Sequence, residues 1–123
     1  MAPRRELQAA ERRGRFAETI AALLLLAKGY SIVHRRFRSP VGEIDLIVQR
    51  GGVLAFVEVK RRARFDDAAF AVSPQAQRRL RRAAEAFLAR DPRAGAMTLR
   101  FDVVLIVPCR WPRHIANAFG TEY

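Results

Sequence analysis

Hydrophobic residues recur along this chain with a helical period in two segments. Residues 5–28 carry apolar side chains three and four positions apart, which predicts an amphipathic helix that stops before Gly29. Ser73 can cap a helix whose first position is Pro74, so a second helix is predicted to run to about Arg90. The two helices therefore lie on either side of the central part of the chain.

The remaining apolar segments have the composition and alternation of strands. Strands are predicted at residues 30–38, 42–49, 53–60 and 98–107. Residues 112–119 are predicted to form a short terminal helix closed by Gly120. In the resulting order, α-βββ-α-β-α, a helical crossover lets the fourth strand lie parallel to an earlier one. The predicted fold class is α/β, a three-layer sandwich with a central mixed β-sheet.

The second and third predicted strands form a hairpin whose register follows from their alternation. A two-residue turn at Gly51 and Gly52 joins them. Ile44, Leu46 and Val48 share one face of the first strand, and we expect them to contact the same core. The matching pairs are 44 with 59, 46 with 57 and 48 with 55. A slip by one position would bury the charged residues and expose the valines.

This register gathers four charged side chains on the second face of the hairpin. Asp45 is expected opposite Glu58, and Glu43 opposite Lys60. Facing carboxylates repel each other unless they share a proton or a cation lies between them. Lys60 supplies one positive charge, and Mg²⁺ (or Mn²⁺) held by Asp45 and Glu58 could supply more. The alternative is an ordinary half-solvated strand on which Lys60 pairs with Glu43.

The charge balance points to a polyanionic partner. The 123 residues are enough for one domain, residues 1–123 with a core at about 14–119, and the formal net charge is +11. Only Lys28 and Lys60 are lysines, so almost all the positive charge is on arginine, which binds phosphate with two parallel hydrogen bonds. We favour nucleic acid over a merely basic surface, and an acidic membrane surface comes third.

Two further observations limit the class of protein. Cys109 is the only cysteine, which excludes an internal disulfide and a cysteine-rich zinc site. The longest apolar run, residues 20–27, is too short to span a bilayer and has no cleavage signal after it. We therefore expect a cytoplasmic protein that does not associate with membranes.

The charged hairpin resembles the signature of a known nuclease superfamily. "GEIDLI" and "FVEVK" are similar to the PD-(D/E)xK motif of restriction-endonuclease-like proteins, with Asp45, Glu58 and Lys60 at the motif positions. Together with "GRFAE", "AVSPQAQRRL", "RFDVVLI" and "HIANAF", they make residues 14–119 resemble the YraN-like family. That family of small bacterial proteins is similar to archaeal Holliday junction resolvases.

The resemblance implies a metal-dependent, structure-specific endonuclease that hydrolyses branched or single-stranded DNA. It implies Mg²⁺ (or Mn²⁺) on Asp45 and Glu58, with Glu18 joining them from the first helix, and it allows a homodimer. The alternative for Glu18 is an exposed helix residue. The chain departs from the family at Ala17, where glycine is frequent, and at Ala76, where lysine is frequent.

Lys60 is expected to orient the attacking water and stabilise charge, because the nearby carboxylates should raise its pKa and disfavour base catalysis. DNA phosphates are expected to contact Arg35, Arg36, Arg38, Arg61, Arg62, Arg64, Arg78 and Arg79. The lone histidines His34 and His114 are interpreted as packing or surface residues. Asp102 is interpreted as a hydrogen-bond acceptor at a strand edge.

Two other functions are compatible with the sequence. The first is a nucleic-acid-binding protein that keeps the nuclease fold without catalysis or metal. The second is a protein-interaction module that uses apolar surface near Trp111 and Phe119. Salt-sensitive DNA binding would separate the first from the second, and metal binding would separate both from the nuclease.

Overall fold

In a computed structural model, residues 4–120 form two α-helices and five strands in the order α-βββ-α-β-β, with side chains described for residues 14–120. The elements are α1 (Arg4–Ala27), β1 (Ser31–Ser39), β2 (Gly42–Arg50), β3 (Val53–Arg61), α2 (Pro74–Arg90), β4 (Thr98–Ile106) and β5 (Arg113–Phe119). Short 3₁₀ turns precede and follow α2. The predicted elements as far as β4 are confirmed, with boundaries that differ by one or two residues.

The strands form one mixed sheet in the order β1-β2-β3-β4-β5. Neighbouring strands are antiparallel except β3 and β4, which are parallel because α2 carries the chain back between them. The predicted α/β fold with a mixed sheet is therefore confirmed.

Each helix covers a different face of the sheet. Side chains alternate along the strands, so consecutive residues pack against different helices. Leu46 and Val57 belong to a buried cluster with Leu25 of α1. Ile47 and Phe56, the next residues along the same strands, belong to a second cluster with residues of α2. The central strands thus read as nearly continuous apolar runs because both of their faces are buried.

Residues 112–119 form a strand, β5, and the predicted terminal helix is wrong. Val103 of β4 pairs with Ile115, so β5 gives the outer edge of β4 its backbone partners. Asn117 adopts a left-handed conformation with φ +53°, and the register of the ladder shifts nearby. Alanine and asparagine have weak strand propensity, and pairing with β4 overrides it.

Asp102 secures β5 against β4 with side-chain hydrogen bonds. Its carboxylate accepts from Arg100 at 2.8 Å, from His114 Nε2 at 2.7 Å and from the Asn117 N–H at 3.0 Å. Burial acts to raise the pKa of Asp102, but the hydrogen bonds from His114 and Arg100 outweigh it and lower that pKa to about 2. The interpretations of Asp102 as a strand acceptor and of His114 as a packing residue are confirmed.

Helix α1 leaves part of its apolar surface uncovered. Phe16, Leu23 and Leu26 are all at least half exposed. Across the part of the chain that the structure describes, neither helix has the length and apolar character that crossing a bilayer requires.

Gly42, at the start of β2, is the point where α2 comes closest to the sheet. A Cβ at this position would lie 2.8 Å from the backbone oxygen of Arg79 in α2. Such a contact with backbone is shorter than van der Waals distance, so only glycine lets α2 pack at this depth. The close approach brings Arg79 beside the charged end of β2.

We expect Gly42→Ala to destabilise the protein by about 1–3 kcal/mol, because α2 must move away from β2. Gly52→Ala is the matched control, since a Cβ there meets nothing within 4 Å. Urea unfolding monitored by circular dichroism measures both free energies. Equal unfolding midpoints for the two variants would contradict the packing argument.

Candidate active site

The hairpin strands β2 and β3 separate at the position of Asp45. Their ladder runs from Arg50–Val53 to Leu46–Val57, in the register predicted from the sequence. Beyond that point the Asp45 side chain, not a backbone carbonyl, accepts the Val59 N–H at 2.7 Å. Asp45 and Glu58 are thus not a ladder pair, and the Asp45 carboxylate is held in the opening between the strands.

The alternation of β2 reverses at the same place. Ile44 packs in the cluster beneath α2, whereas Leu46 packs in the cluster beneath α1. The prediction that Ile44 shares a face with Leu46 and Val48 is therefore wrong. Asp45 lies between the two buried residues, at the switch.

An irregularity in β1 accompanies this switch. Arg35 pairs with Leu46 and Phe37 with Ile44, so Arg36 falls across from Asp45. Arg36 adopts φ +54°, a left-handed conformation that costs about 1–3 kcal/mol for a residue with a side chain. Backbone in this conformation is common beside functional sites, and it turns Arg36 toward α1.

Asp45 contacts cavities on both sides of the sheet. One cavity of about 250 Å³ is lined by Asp45 together with Glu18 and Arg36. Another of about 530 Å³ is lined by Asp45 together with Glu58 and Arg79. Asp45 therefore joins two sets of side chains, with Glu18 and Arg36 on the α1 side of the sheet and Glu58 and Arg79 on the α2 side.

The negative charges of Asp45 and Glu58 are only partly offset by positive charges of the protein. Burial, as the largest cause, and the negative charge of Glu58 together raise the pKa of Asp45 to about 7, although the hydrogen bond from the Val59 N–H acts in the opposite direction. Burial also raises the pKa of Glu58, although Lys60, Arg79 and Arg62 act in the opposite direction. Ionising both groups in this opening is therefore unfavourable without an added cation.

Glu18 of α1 lies in the site beside Asp45. Its side chain is only 12% exposed and accepts a hydrogen bond from Arg36 Nε at 2.6 Å. The negative charge of Glu18 is among the causes that raise the pKa of Asp45. The alternative of an exposed helix residue is therefore wrong for Glu18, and Arg36 pairs with this acid.

Lys60 and Glu43 do not form the cross-strand pair expected of them. Lys60 donates a hydrogen bond to the Ala71 carbonyl oxygen, in the segment that precedes α2. Glu43 instead lies 3.8 Å from Arg38 of β1, in an exposed ion pair. The two residues diverge because the β2–β3 ladder has already ended.

The expected direction of the Lys60 pKa shift is also wrong. Burial lowers the pKa of Lys60, and the neighbouring Arg62 lowers it further, while Glu58 opposes both. The sequence pattern shows the carboxylates beside Lys60, but the desolvation of its amine is determined by the fold.

The predicted phosphate-binding arginines fall into two groups. Arg62 and Arg79 act on Glu58 electrostatically, and Arg61 lines a cavity of about 140 Å³ with Asp45. The others are half-buried Arg36, already paired with Glu18, and four exposed side chains: Arg35, Arg38, Arg64 and Arg78.

Three neighbours of the site were not predicted from the sequence. Arg15 and Gly14 line the cavity that contains Glu18 and Asp45. Arg15 precedes Glu18 by three positions, so its helical spacing could have identified it. The Ala71 carbonyl that receives Lys60 left no signal in the sequence.

A magnesium ion fits the chemistry of Asp45 and Glu58. Among the described residues there is no group of three or more His, Cys, Asp or Glu side chains suitable for a metal. Mg²⁺ needs fewer protein ligands, because it usually keeps several waters and binds one or two carboxylates. Two desolvated carboxylates that repel each other are suitable oxygen donors for such an ion.

Residues 17–106 match the family model described as "Uncharacterised protein family UPF0102". The chain belongs to this family. A UPF0102 protein of Parvibaculum lavamentivorans is 59% identical over 90% of this chain and 84% of its own length. A UPF0102 protein of Sinorhizobium medicae is 53% identical over 88% of each chain. The predicted membership of the YraN-like family is thereby confirmed.

The raised carboxyl pKa values make stability depend on pH. Between the ordinary pKa of 3.8 and the folded value of about 7, the folded protein binds more protons at Asp45 than the unfolded chain does. The stability of the metal-free protein should therefore fall as the pH rises through this range.

Asp45→Asn keeps an acceptor for the Val59 N–H and removes the ionisation. Without metal, we expect it to raise the unfolding free energy above pH 7 by a few kcal/mol, since one pKa unit corresponds to about 1.4 kcal/mol. The difference should vanish below pH 3.8, as measured by thermal melts in a chelator. Glu85→Gln, at an exposed position on α2, is the control, and a pH-independent Asp45→Asn effect would contradict the pKa argument.

Proposed function

We propose that this protein is a metal-dependent nuclease that hydrolyses phosphodiester bonds in DNA. The observation that carries the proposal is the Asp45–Glu58 carboxylate pair, which is desolvated and raised in pKa within a chain of net charge +11. A site that disfavours its own negative charge suits a divalent cation. The surrounding arginines suit the phosphate that the cation would contact.

The arrangement of the site supports a restriction-endonuclease-like fold of the PD-(D/E)xK type. The acids lie at the open end of a hairpin in a mixed sheet, with Glu18 supplied from the preceding helix. Glu58 and Lys60 keep the spacing of the motif on β3. This likeness supports the proposal, and the chemistry of the two carboxylates supports it independently.

In the proposed reaction Asp45 and Glu58 would hold the ion, and Glu18 would hold a water or a second ion. The bound ion would supply positive charge at the phosphoryl oxygens and a template for the nucleophile. The Asp45 carboxylate is oriented for this role by the Val59 N–H. An oriented carboxylate costs little reorganisation when the ion binds.

Lys60 would orient the attacking water and accept its proton. The lowered pKa supports this second role, because it increases the fraction of neutral amine available to take a proton. The hydrogen bond to the Ala71 carbonyl limits where the amine can move. Arg62 and Arg79, on the Glu58 side, would contact the phosphate and stabilise its developing charge.

Arginine contacts to the backbone bind nucleic acid without reading its sequence. We therefore favour a structure-specific activity, with branched or single-stranded DNA as the substrate. Binding of this type should weaken steeply as the salt concentration rises.

A nuclease assay with Mg²⁺ or Mn²⁺ on branched, duplex and single-stranded DNA tests the proposal. We expect Asp45→Asn and Glu58→Gln each to lose activity by at least about 100-fold, since even residues around metal ligands contribute about 10–100-fold. Glu85→Gln is the matched control on an exposed part of α2 and should retain full activity. Equal cleavage by all the variants would identify a contaminating nuclease and contradict the proposal.

A non-catalytic nucleic-acid-binding function is the second candidate. It is favoured by the Glu18–Arg36 ion pair, which neutralises the third acid, and by the small number of metal donors among the described residues. Calorimetry with Mn²⁺ separates the two functions. Tight DNA binding with no metal binding to the wild type would support this candidate over the nuclease.

A further inference from the structure

An apolar groove of about 790 Å³ lies beside the candidate site, between α1 and the end of β4. Ile20 of α1 and Ile106 and Val107 of the β4 end contribute its apolar lining. Phe16, 68% exposed, lines the same groove from one turn earlier in α1. An exposed ring over an apolar groove is a surface on which a flat ligand can stack.

Three arginines line this otherwise apolar groove: Arg61, Arg62 and Arg110. All three are exposed. A ligand that satisfies both features must combine flat, weakly polar faces with regularly spaced negative charges. Nucleotides of an unpaired strand have this combination, since their bases stack on aromatic side chains while arginines contact their phosphates.

The groove is continuous with the candidate site. Ala17 and Arg61 line both the groove and the small cavity that contains Asp45 and Glu18. Arg62 lines the groove and also acts electrostatically on Glu58 and Lys60. A DNA strand with a phosphate at the carboxylates would therefore reach the groove while staying in contact with Arg61 and Arg62.

From this geometry we infer that the groove binds unpaired nucleotides of the DNA strand that adjoins the reacting phosphate. The inference rests on the proposed function and narrows its substrate to DNA with a single-stranded segment. Duplex DNA does not fit, because its bases are stacked within the helix and cannot reach Phe16. An acidic, apolar peptide is the competing occupant.

The test measures binding of a fluorescein-labelled thymidine oligonucleotide and of a duplex by fluorescence anisotropy in a chelator. We expect Phe16→Ala to raise the Kd for the single strand about 5- to 100-fold, the loss expected when one stacked base loses its aromatic partner. The Kd for the duplex should not change. Phe16→Tyr should retain single-strand binding, because it keeps the ring.

Leu23→Ala is the matched control, since Leu23 is a 61% exposed apolar residue on the same helix but does not line the groove. It should leave both Kd values unchanged. A Phe16→Ala protein that binds single strand and duplex as wild type does, or loses both equally, would overturn the inference. Loss of single-strand binding with Leu23→Ala as well would also overturn it.

A second readout locates the strand directly. Trp111 is the only tryptophan, so the double variant Trp111→Phe/Phe16→Trp carries one indole, placed in the groove. We expect the oligonucleotide to quench its fluorescence, because a base stacks on the indole. The quenching titration should give the same Kd as anisotropy. Unchanged fluorescence at saturation would show that the strand binds elsewhere and would leave the groove to a peptide.

These measurements separate the inference from the proposed function. Because binding is measured without metal, the result of the binding measurement does not depend on whether the protein cleaves DNA. If Phe16→Ala binds and cleaves single-stranded DNA as wild type does, the groove inference fails while the nuclease proposal stands. If no protein cleaves DNA but Phe16→Ala weakens single-strand binding selectively, the nuclease proposal fails and the groove remains.

Discussion

Burial of two neighbouring carboxylates in one opening of the sheet is the constraint around which the site is organised. Asp45 is held by the Val59 N–H, and Glu58 lies close enough to raise its pKa. The arginines and Lys60 nearby offset part of this cost at Glu58 but leave the carboxyl pKa values raised. A cation bound at these carboxylates would offset their negative charge. A divalent ion that also binds waters is the simplest such cation.

The opening exists because three elements depart from regular geometry at the same level of the sheet. The β2–β3 ladder ends at Leu46–Val57, Ile44 changes face, and Arg36 takes a left-handed conformation across from Asp45. Close packing of α2 on Gly42 then brings Arg79 to one side, while α1 brings Glu18 to the other. Strain at Arg36 and repulsion between the acids are opposed by the two buried clusters on the faces of the sheet.

The spacing of apolar residues and the helix signals were sufficient to predict α1, β1 to β4, α2 and the register of the hairpin, because local spacing shows which residues of an element are buried. They failed where long-range contacts decide the outcome. The strand at residues 113–119 depends on pairing with β4 and on Asp102, and the face of Ile44 depends on a distortion in another strand. The lowered pKa of Lys60 depends on burial that only the assembled fold creates.

Anomalous diffraction from crystals soaked in Mn²⁺ shows whether Asp45 and Glu58 bind a cation. In the wild type we expect a single strong peak within coordination distance of the Asp45 and Glu58 carboxylates. The same soak of Asp45→Asn crystals should show the peak lost or greatly weakened. Ordered wild-type crystals soaked above pH 7, where Asp45 ionises, that show no peak between the two carboxylates at saturating Mn²⁺ would contradict cation binding by this pair.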